Sequence, residues 1–446
     1  MLSKNRPKIR QRRCTWGNAS GEALTSRRNT TRANPTFATP IPEMFKKIGL
    51  IREGKNPPDR RVPLTPKQCR EALLQGIDIA VQRSSVRAYT DDEYTAMDVR
   101  VTEDLTDREL IIGVKEVPQD MLMAGKAYLF FSHTIKKQPS NAKLLRTVLD
   151  RRITLLDHEL LTDKQGIRVL AFGKWAGVVG AYNAFRAWEV KDGGKPTLKP
   201  AHACHDRAEM DLHLADLAIP KDLRIVLTGA GRVGHGAMET LDRVGIERVS
   251  PEDFLHRAHS GPVYTVLDSE HLYERTDGQA FDTPAFHADP RGHRSVFLPY
   301  ARHAHLYIAC HYWDARGPKI LTANDLRAPA ISLRVVADIS CDIGGPIDST
   351  LRATTIADPF MGYDIASGDE CHVGSSGSIT VMSVDNLPCE LPRDSSKSFG
   401  RDLMTNVLPH LTGPDSEGMI ARATIAKDGK LTAAFAYLED YAASGR

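Results

Sequence analysis

The sequence predicts an α/β fold in which two doubly wound parallel-sheet domains face each other across a cleft. From residue 46 onward, short apolar segments alternate with amphipathic segments, which is typical of a parallel sheet covered by helices on both faces. A glycine-rich turn lies in the middle of the chain rather than at its start. The length of 446 residues is enough for two or three domains.

The glycine-rich turn lies between the apolar strand Leu223–Leu227 and a stripe of apolar residues at helical spacing. Two of its glycines allow a tight turn and the close approach of a pyrophosphate, and the third lets the helix pack on the strand. The helix N-terminus adds free N–H groups. We therefore expect a Rossmann-like dinucleotide site, and the alternative is a glycine-rich turn that binds no ligand. The expected cofactor-binding residues of the turn are Gly229, Gly231, Arg232, Val233 and Gly234.

Apolar segments predict the strands of the first half, and Pro66 favours the first turn of a helix. The predicted strands are Lys47–Ile51, Ile77–Val81, Leu110–Val114, Tyr128–Phe131 and Ile153–Leu156. One predicted helix begins after Pro66. The other predicted helices are Asp91–Met97, Asn141–Arg151 and Trp175–Val190.

Beyond the glycine turn, residues 250–304 are long and polar for a single crossover, which indicates an insertion. The pair Asp428-Gly429 is typical of a hairpin turn. The predicted strands are Val263–Leu267, His305–Ile308 and Leu333–Ala337, the predicted hairpin is Ala421–Thr432, and the predicted helices are Asp394–Leu411 and Ala433–Tyr441.

Charge is distributed unevenly along the chain. Residues 1–43 hold nine Lys or Arg against two Glu, a net of +7, so the remainder carries −4 within the total of +3. A mildly acidic body does not favour nucleic acid as a partner. No apolar run reaches 18 residues, so no membrane span is expected. We expect residues 1–43 to be a disordered basic extension; a transit peptide, or an extension upstream of a start at Met44, are the alternatives.

The seven cysteines are scattered, without a Cys-x-x-Cys pair, which indicates reduced thiols and a cytoplasmic location rather than a disulfide framework. Cys204 and His205 lie near His202, but these residues are too few to complete a metal site, so no metal is expected. We expect a small-molecule substrate as the partner, and a monomer or a small homo-oligomer.

Lys115 and His133 each follow a predicted strand. Because ligands bind beyond the carboxyl ends of parallel strands, both residues are expected at the edge of a site. Both side chains exchange protons near neutral pH when burial or a neighbouring cation lowers the pKa of the lysine. The alternative is that Lys115 pairs with a surface carboxylate and that His133 caps a loop.

Arginine side chains bind carboxylates with two hydrogen bonds, so an acidic substrate has candidate anchors in Arg60, Arg61 and Arg168. Glu159 follows a predicted strand and is a candidate to hold an ammonium group. The alternatives are solvated loop arginines and a glutamate that caps a turn.

Several motifs resemble a known family. The run from Gly49 to Pro66, Gly-Leu-Ile-Arg-Glu-Gly-Lys-Asn-Pro-Pro-Asp-Arg-Arg-Val-Pro-Leu-Thr-Pro, resembles the opening of the alanine dehydrogenase/transhydrogenase N-terminal domain. Four further stretches resemble the lysine-forming saccharopine dehydrogenases and the lysine–ketoglutarate reductase domain. They are residues 130–136, 171–177, 337–340 with Gly344-Gly345, and 383–388.

The resemblance implies an oxidoreductase of lysine biosynthesis that converts saccharopine, NAD+ and water to L-lysine, 2-oxoglutarate and NADH, or catalyses the reverse reaction. It implies that Lys115 is the proton acceptor and that His133 is the proton donor. The implied substrate-binding residues are Arg61, Gln138, Arg168 and Phe172, with Glu159 as a charge partner, and the implied nicotinamide-side residues are Val384, Asp385, Asn386 and Leu387.

The resemblance also implies that the chain after residue 371 folds back onto the first domain. The expected organisation is therefore an extension at 1–43, a substrate domain at 44–195 plus 371–446, and a dinucleotide-binding domain at 196–370.

The sequence leaves alternatives open for the identity of the cofactor and of the substrate. A ribose-binding acid is expected about 20 residues after the glycines, but the predicted strand there ends at Ser250, which is taken as the cofactor-binding position. NAD is the expected cofactor, with NADP as the alternative. The run Ala309-Cys310-His311 departs from the family pattern near the substrate. The rival functions are an NADPH-dependent lysine–ketoglutarate reductase, an alanine or other amino-acid dehydrogenase, and a non-catalytic nucleotide-binding sensor.

Overall fold

A computed structural model describes residues 45–54 and 59–445. The predicted basic extension at 1–43 lies outside the described residues. Strands and helices alternate along the chain, as the apolar pattern predicts. The strands are β1 (Lys47–Leu50), β2 (Asp78–Gln82), β3 (Arg100–Thr102), β4 (Leu110–Ile112), β5 (Ala127–Phe130), β6 (Thr154–Asp157), β7 (Arg224–Thr228), β8 (Glu247–Arg248), β9 (Val263–Leu267), β10 (Tyr273–Arg275), β11 (His293–Ser295), β12 (Leu306–Ala309), β13 (Val335–Asp338), β14 (Phe360–Asp364), β15 (Glu370–Cys371), β16 (Ser378–Met382), β17 (Thr424–Lys427) and β18 (Lys430–Leu431).

Helices cover both faces of the sheets. They are α1 (Pro66–Leu74), α2 (Asp91–Thr95), α3 (Ala142–Asp150), α4 (Gly173–Val190), α5 (Arg207–Ala215), α6 (Arg232–Arg243), α7 (Pro251–His256), α8 (Ser269–Leu272), α9 (Thr283–Ala288), α10 (Leu298–His303), α11 (Ala323–Leu326), α12 (Pro392–Asp402), α13 (Leu408–Thr412), α14 (Met419–Ala423) and α15 (Glu439–Ala443). Short 3₁₀ turns lie at Gln119–Met121, Thr134–Lys136, Pro139–Asn141, His158–Leu160, Ala201–Ala203, Leu387–Glu390 and Ala433–Leu438.

The strands form two eight-stranded sheets and a small two-stranded sheet. The first sheet has the order β18-β17-β6-β5-β4-β1-β2-β3, and the second has the order β15-β14-β16-β13-β12-β7-β9-β8. Within each sheet six neighbouring strands are parallel, and an antiparallel pair extends one edge. The predicted α/β fold with two doubly wound sheets is confirmed. We call the two halves the first lobe, built on β1–β6 with β17 and β18, and the second lobe, built on β7–β9 and β12–β16.

The predicted hairpin at the C-terminal end completes the first sheet. Strands β17 and β18 pair around Asp428 and Gly429, both of which have positive φ. Two consecutive left-handed residues form the turn that matches the twist of a hairpin. Strand β17 then pairs antiparallel with β6. The last part of the chain is therefore a structural part of the first lobe.

The strand pairing shows where the chain passes between the two sheets, and the predicted domain boundaries at residues 195 and 371 stay predictions. Strand β16 pairs with β13 and β14, so the chain leaves the second sheet only after Met382. The sequence analysis also missed β14, β15 and β16 as strands. Helix α4 packs with the core of the second lobe, because its apolar residues share one buried cluster with those of β7 and α6.

Helices α4 and α6 cross at a distance that only glycine permits. A Cβ atom on Gly177 would lie 1.8 Å from the carbonyl oxygen of Val233, and one on Gly236 would lie 1.9 Å from the carbonyl oxygen of Lys174. Such distances are far inside van der Waals contact. The start of α4, which follows the first lobe, is therefore held against the helix of the glycine turn.

The predicted helix Asp394–Leu411 is interrupted. Helix α12 ends at Asp402, a π-helical turn covers Leu403–Val407, and α13 begins at Leu408. Pro409 has no N–H to donate, so a regular α-helical ladder cannot continue through it. Phe399, Leu403 and Val407 are buried in the core of the first lobe. The chain thus returns to the first lobe through α12.

Candidate active site

Lys115 and His133 lie at the same edge of the first sheet. Lys115 follows β4 and His133 follows β5, and these strands are parallel neighbours. The two strand ends are joined directly, because His133 Nδ1 lies 2.5 Å from Glu116 Oε1. His133 has a left-handed backbone with φ of 52°, a conformation uncommon for a residue other than glycine. With Nδ1 engaged by the carboxylate, Nε2 is the ring nitrogen left to exchange a proton.

Lys115 lies in surroundings that favour its neutral form. Burial, and next the positive charge of Arg61, lower the pKa of Lys115 from its ordinary value of 10.5. The backbone N–H of Lys115 donates to Glu53 Oε2 at 2.9 Å, and that of Val114 donates to Glu53 Oε1 at 2.6 Å. Glu53 thus holds the backbone at the end of β4 with both carboxylate oxygens, and the position of Lys115 depends on it.

Glu53 was missed by the sequence analysis. Burial, and next the negative charge of Asp59, raise its pKa from 4.5 to about 8. Its position in the Gly49–Pro66 run was the available indication, but an acidic residue in a loop is ordinarily solvated, and only the fold shows that this one is partly buried and accepts from two backbone N–H groups.

Arg61 is the buried arginine of the adjacent pair, and Arg60 is exposed. The Arg61 guanidinium donates to Asp59 Oδ2 at 2.6 Å and to Asp59 Oδ1 at 3.0 Å. Its Nη2 also donates to Asn386 Oδ1 at 3.2 Å, and its Cζ lies 4.2 Å from the centre of the Phe172 ring. The guanidinium holds the pKa of Asp59 below its usual range. Arg61 therefore contacts two other predicted residues, Phe172 and Asn386.

Glu159 and Arg168 face each other at the end of β6. Arg168 Nη1 lies 3.6 Å from Glu159 Oε1, and Lys136 Nζ lies 3.1 Å from the same oxygen. The second oxygen of Glu159 is buried and has no hydrogen-bond partner among the described residues. Buried Asp157 fixes this turn, because it accepts from the backbone N–H of Glu159 at 2.8 Å and from that of Ser132 at 3.0 Å.

Gln138 is exposed, at the start of a 3₁₀ turn. Its side-chain oxygen accepts from Asn141, and its backbone oxygen accepts from Tyr441. Within residues 45–54 and 59–445 no hydrogen bond or ion pair joins it to Lys115 or His133, so its role in substrate binding stays a prediction.

The glycine turn of the second lobe has the geometry that a dinucleotide requires. Gly229 has φ of 88°, and a Cβ on Gly234 would lie 2.0 Å from the carbonyl oxygen of Gly229. A Cβ on Gly231 would meet no heavy atom within 4 Å among the described residues, so its backbone is open to a ligand. A cavity of about 430 Å³ lies against this turn. The residues present therefore fit a pyrophosphate at the start of α6.

The acidic side chain at the glycine turn is Asp268, whereas the sequence pattern had indicated Ser250 as the cofactor-binding position. Strand β9 pairs with β7, whereas β8, which precedes Ser250, pairs only with β9. Asp268 follows β9 and accepts from the backbone N–H of Ala230 at 3.2 Å. The hydroxyl of Ser250 instead caps α7 by accepting from Asp253. Residues 247–262 place an additional outer strand before the one that pairs with β7, and the cofactor-binding role of Ser250 stays a prediction.

The two lobes contact each other at the glycine turn as well as at Arg61. The Arg232 guanidinium, at the start of α6, donates to the backbone oxygen of Arg168 in the first lobe. In the predicted nicotinamide-side segment, Val384 and Leu387 are buried in the second core, whereas Asp385 is exposed. Together with the Arg61–Asn386 bond, these contacts join the predicted substrate segments of the first lobe to the predicted cofactor segments of the second lobe.

Two other features contain none of the predicted site residues. A larger cavity of about 730 Å³ is lined by α1, α12 and the start of α4. A second group places one ligand atom each of Cys204, Glu209 and His213 within 4.8 Å of one another. Glu209 already accepts from the Lys199 ammonium and from the backbone N–H of His205, so we make no metal proposal from this group.

In the described part of the chain, no helix is both long enough and apolar enough to cross a membrane.

Comparison with known proteins identifies relatives of the chain. Residues 49–179 match the alanine dehydrogenase/PNT N-terminal domain. A mitochondrial alpha-aminoadipic semialdehyde synthase of Mus musculus is 32% identical over 440 residues, covering 88% of this chain and 47% of the relative. A saccharopine dehydrogenase [NAD(+), L-lysine-forming] of Emericella nidulans is 27% identical over 383 residues, covering 81% of this chain and 91% of the relative. The chain thus spans about half the length of the mouse protein.

Two solved structures share the fold. An L-alanine dehydrogenase superposes with a TM-score of 0.62 at 16% identity, over 90% of this chain and 99% of that chain. A transhydrogenase from Sinorhizobium meliloti superposes with a TM-score of 0.55 at 16% identity, over 86% of this chain and 99% of that chain. At these identities the likeness shows the two-domain α/β architecture.

Proposed function

Because residues 49–179 form an alanine dehydrogenase/PNT N-terminal domain, in a chain homologous to saccharopine dehydrogenases and alpha-aminoadipic semialdehyde synthases, we propose that this protein is a saccharopine dehydrogenase. The reaction converts saccharopine, NAD+ and water to L-lysine, 2-oxoglutarate, NADH and a proton, or runs in reverse. The observation that carries the proposal is the Glu116–His133 contact beside Lys115, which gathers an acid–base pair at one sheet edge.

When bound, the dinucleotide supplies hydride transfer at the glutarate carbon that carries the nitrogen. Neutral Lys115 accepts the proton of the secondary amine, which frees the nitrogen lone pair. His133, held by Glu116, exchanges the protons that water addition and lysine departure require. Burial and the charge of Arg61, which lower the pKa of Lys115, make the neutral lysine more abundant.

Arg168 is the better anchor for a substrate carboxylate. Saccharopine has three carboxylates, and each needs a cationic or hydrogen-bonding partner. Arg61 already binds Asp59 twice and Asn386 once. Among the described residues, the Arg168 guanidinium donates to the backbone oxygen of Leu170 at 3.1 Å and lies 3.6 Å from Glu159 and 5.4 Å from the centre of the Phe131 ring. Arg61 thus shapes the pocket with Phe172, and Arg168 has more donors left for the substrate.

NAD is the favoured cofactor because of Asp268. A carboxylate beside the glycine turn accepts from the ribose 2′-hydroxyl of NAD and repels the 2′-phosphate of NADP. The rival lysine–ketoglutarate reductase that prefers NADPH is therefore disfavoured. We infer a cytoplasmic location from the scattered cysteines; import through residues 1–43 is the alternative.

The first test is an assay of amine and oxoacid pairs with both reduced cofactors. We expect L-lysine with 2-oxoglutarate to oxidise NADH, and alanine to give no reduction of NAD+. Absorbance at the nicotinamide band reports both reactions. No turnover of lysine and 2-oxoglutarate with either NADH or NADPH would reject the assignment.

Replacement of Lys115 tests its role as a base. Lys115→Met is expected to lower kcat for saccharopine oxidation roughly 10²-fold, the usual scale for loss of one acid–base group. In the unchanged protein the rate should rise with pH and level off above the pKa of Lys115, which lies below 10.5. The rising limb should be absent in Lys115→Met. Lys126→Met, at an exposed lysine, is the matched control, and an unchanged rate in Lys115→Met removes Lys115 from the mechanism.

Replacement of Asp268 tests cofactor choice. Asp268→Asn keeps an acceptor for the Ala230 N–H but removes the charge, so the ratio of kcat/KM for NADH over NADPH should fall about tenfold or more, as expected for one charged hydrogen bond. Steady-state kinetics with both cofactors measure the ratio. Ser250→Ala should leave it unchanged. The reverse pattern, with Ser250 sensitive and Asp268 silent, would contradict the strand-based assignment.

A further inference from the structure

His311 lies against the glycine turn and has no place in the proposed chemistry. It follows β12, and a Cβ on Gly229 would lie 2.7 Å from the Cα atom of His311. His311 lines the same cavity of about 430 Å³ as Gly231 and Asp268. The run Ala309-Cys310-His311 departs from the family pattern and was expected near the substrate. The structure places His311 beside the turn that is expected to hold the dinucleotide.

A chain of hydrogen bonds determines which nitrogen of His311 carries the proton. Thr228 Oγ1 lies 3.0 Å from the Tyr307 hydroxyl and 2.7 Å from His311 Nδ1. Burial raises the pKa of Tyr307 well above its ordinary value, so the phenol keeps its hydrogen. Within the described chain, Thr228 is the hydrogen-bond partner of that phenol. The phenol therefore donates to Thr228, because the reverse arrangement leaves a buried donor unpaired, which is unfavourable.

The direction of this chain has a consequence for the imidazole. Thr228 has a single hydroxyl hydrogen, and it donates that hydrogen to His311 Nδ1. Burial lowers the pKa of His311 to about 4, so the ring is neutral at physiological pH. A neutral imidazole that accepts at Nδ1 carries its hydrogen on Nε2. His311 is thus held as a neutral donor in one tautomer.

The Nε2 donor has no acceptor. Among the described residues His311 Nε2 is a buried atom without a hydrogen-bond partner. An unpaired buried N–H is unfavourable unless a ligand supplies the acceptor. His311 also lines the cavity at the glycine turn, so a ligand seated in that cavity is the available source of the acceptor.

We propose that His311 is a further cofactor-binding residue, whose Nε2–H donates to a ribose or pyrophosphate oxygen of the dinucleotide seated on the glycine turn. The proposal rests on the dinucleotide site of the proposed function, and it adds a residue and a tautomer to it. The relay through Tyr307 and Thr228 makes the donor available before the ligand arrives, so little reorganisation accompanies binding.

NADH binding to the full-length protein, followed by nicotinamide fluorescence, tests the proposal. His311→Leu should raise the Kd for NADH about tenfold, the loss expected for one hydrogen bond and its desolvated partner. His311→Gln, which keeps an N–H donor at similar reach, should stay within about threefold of the unchanged protein. His303→Leu, at an exposed histidine of α10, is the control and should not change the Kd.

The tautomer gives a readout independent of binding strength. Two-bond ¹H–¹⁵N spectra should show His311 as the Nε2–H form from pH 5.5 to 8, and NADH should shift the Nε2 resonance. A Kd for His311→Leu equal to that of the unchanged protein, or an Nδ1–H tautomer, overturns the proposal while the dinucleotide site stands. If the unchanged protein binds neither NADH nor NADPH, the dinucleotide site and this proposal both fail.

Discussion

The ion pair of Asp59 and Arg61 is the contact on which the arrangement of the site depends. Both side chains are almost fully buried, at 3% and 2% exposure. In such surroundings a charge is tolerated only when its partner and further hydrogen bonds are in place. Arg61 meets this condition by binding Asp59 and Asn386 and by lying over Phe172. One guanidinium therefore connects the loop before α1 with the segment after β16.

The influence of this pair extends through the stacked rings and through charge. Phe172 is stacked on Phe399 of α12, with ring centres 4.3 Å apart and planes 3° apart. The positive charge of Arg61 is the second cause of the lowered pKa of Lys115. The negative charge of Asp59 is the second cause of the raised pKa of Glu53. Burial is the larger cause of both shifts, and the ion pair adds to it, so the pKa values at the predicted catalytic edge depend in part on a pair that does not itself carry the chemistry.

The fold and the strand-end residues could be predicted from local patterns. The positions of Lys115 and His133 could be predicted because the carboxyl ends of parallel strands meet at one edge of a sheet. The glycine turn could be recognised because the spacing of its glycines allows a tight turn and the close approach of a pyrophosphate. Glu53 and Asp268 could not be found in this way, since burial of the first and strand order around the second are long-range properties. An apolar pattern identifies β9 as a strand, but it does not indicate that β9, and not β8, pairs with β7.

Contacts between residues far apart in the sequence also determine where helix α4 packs and which tautomer His311 adopts. In the sequence pattern, helix α4 comes at the end of the predicted first domain. In the structure, Gly177 and Gly236 allow it to pack against α6 at a distance that no other residue allows. The tautomer of His311 likewise depends on Thr228, 83 positions away in the chain. Such close approaches join residues that no local pattern relates.

Equilibrium unfolding in urea of Asp59→Asn is the most direct measurement of whether the buried pair holds the site together. The free energy of unfolding should fall by about 3–5 kcal/mol, because the Arg61 charge is left buried without its partner, and Asp59→Asn combined with Arg61→Met should recover part of the loss. Asp289→Asn breaks an exposed pair of the same spacing, with Arg291 at 70% exposure, and should change the free energy by less than about 1 kcal/mol. A change in Asp59→Asn no larger than in Asp289→Asn would contradict the central role of the pair.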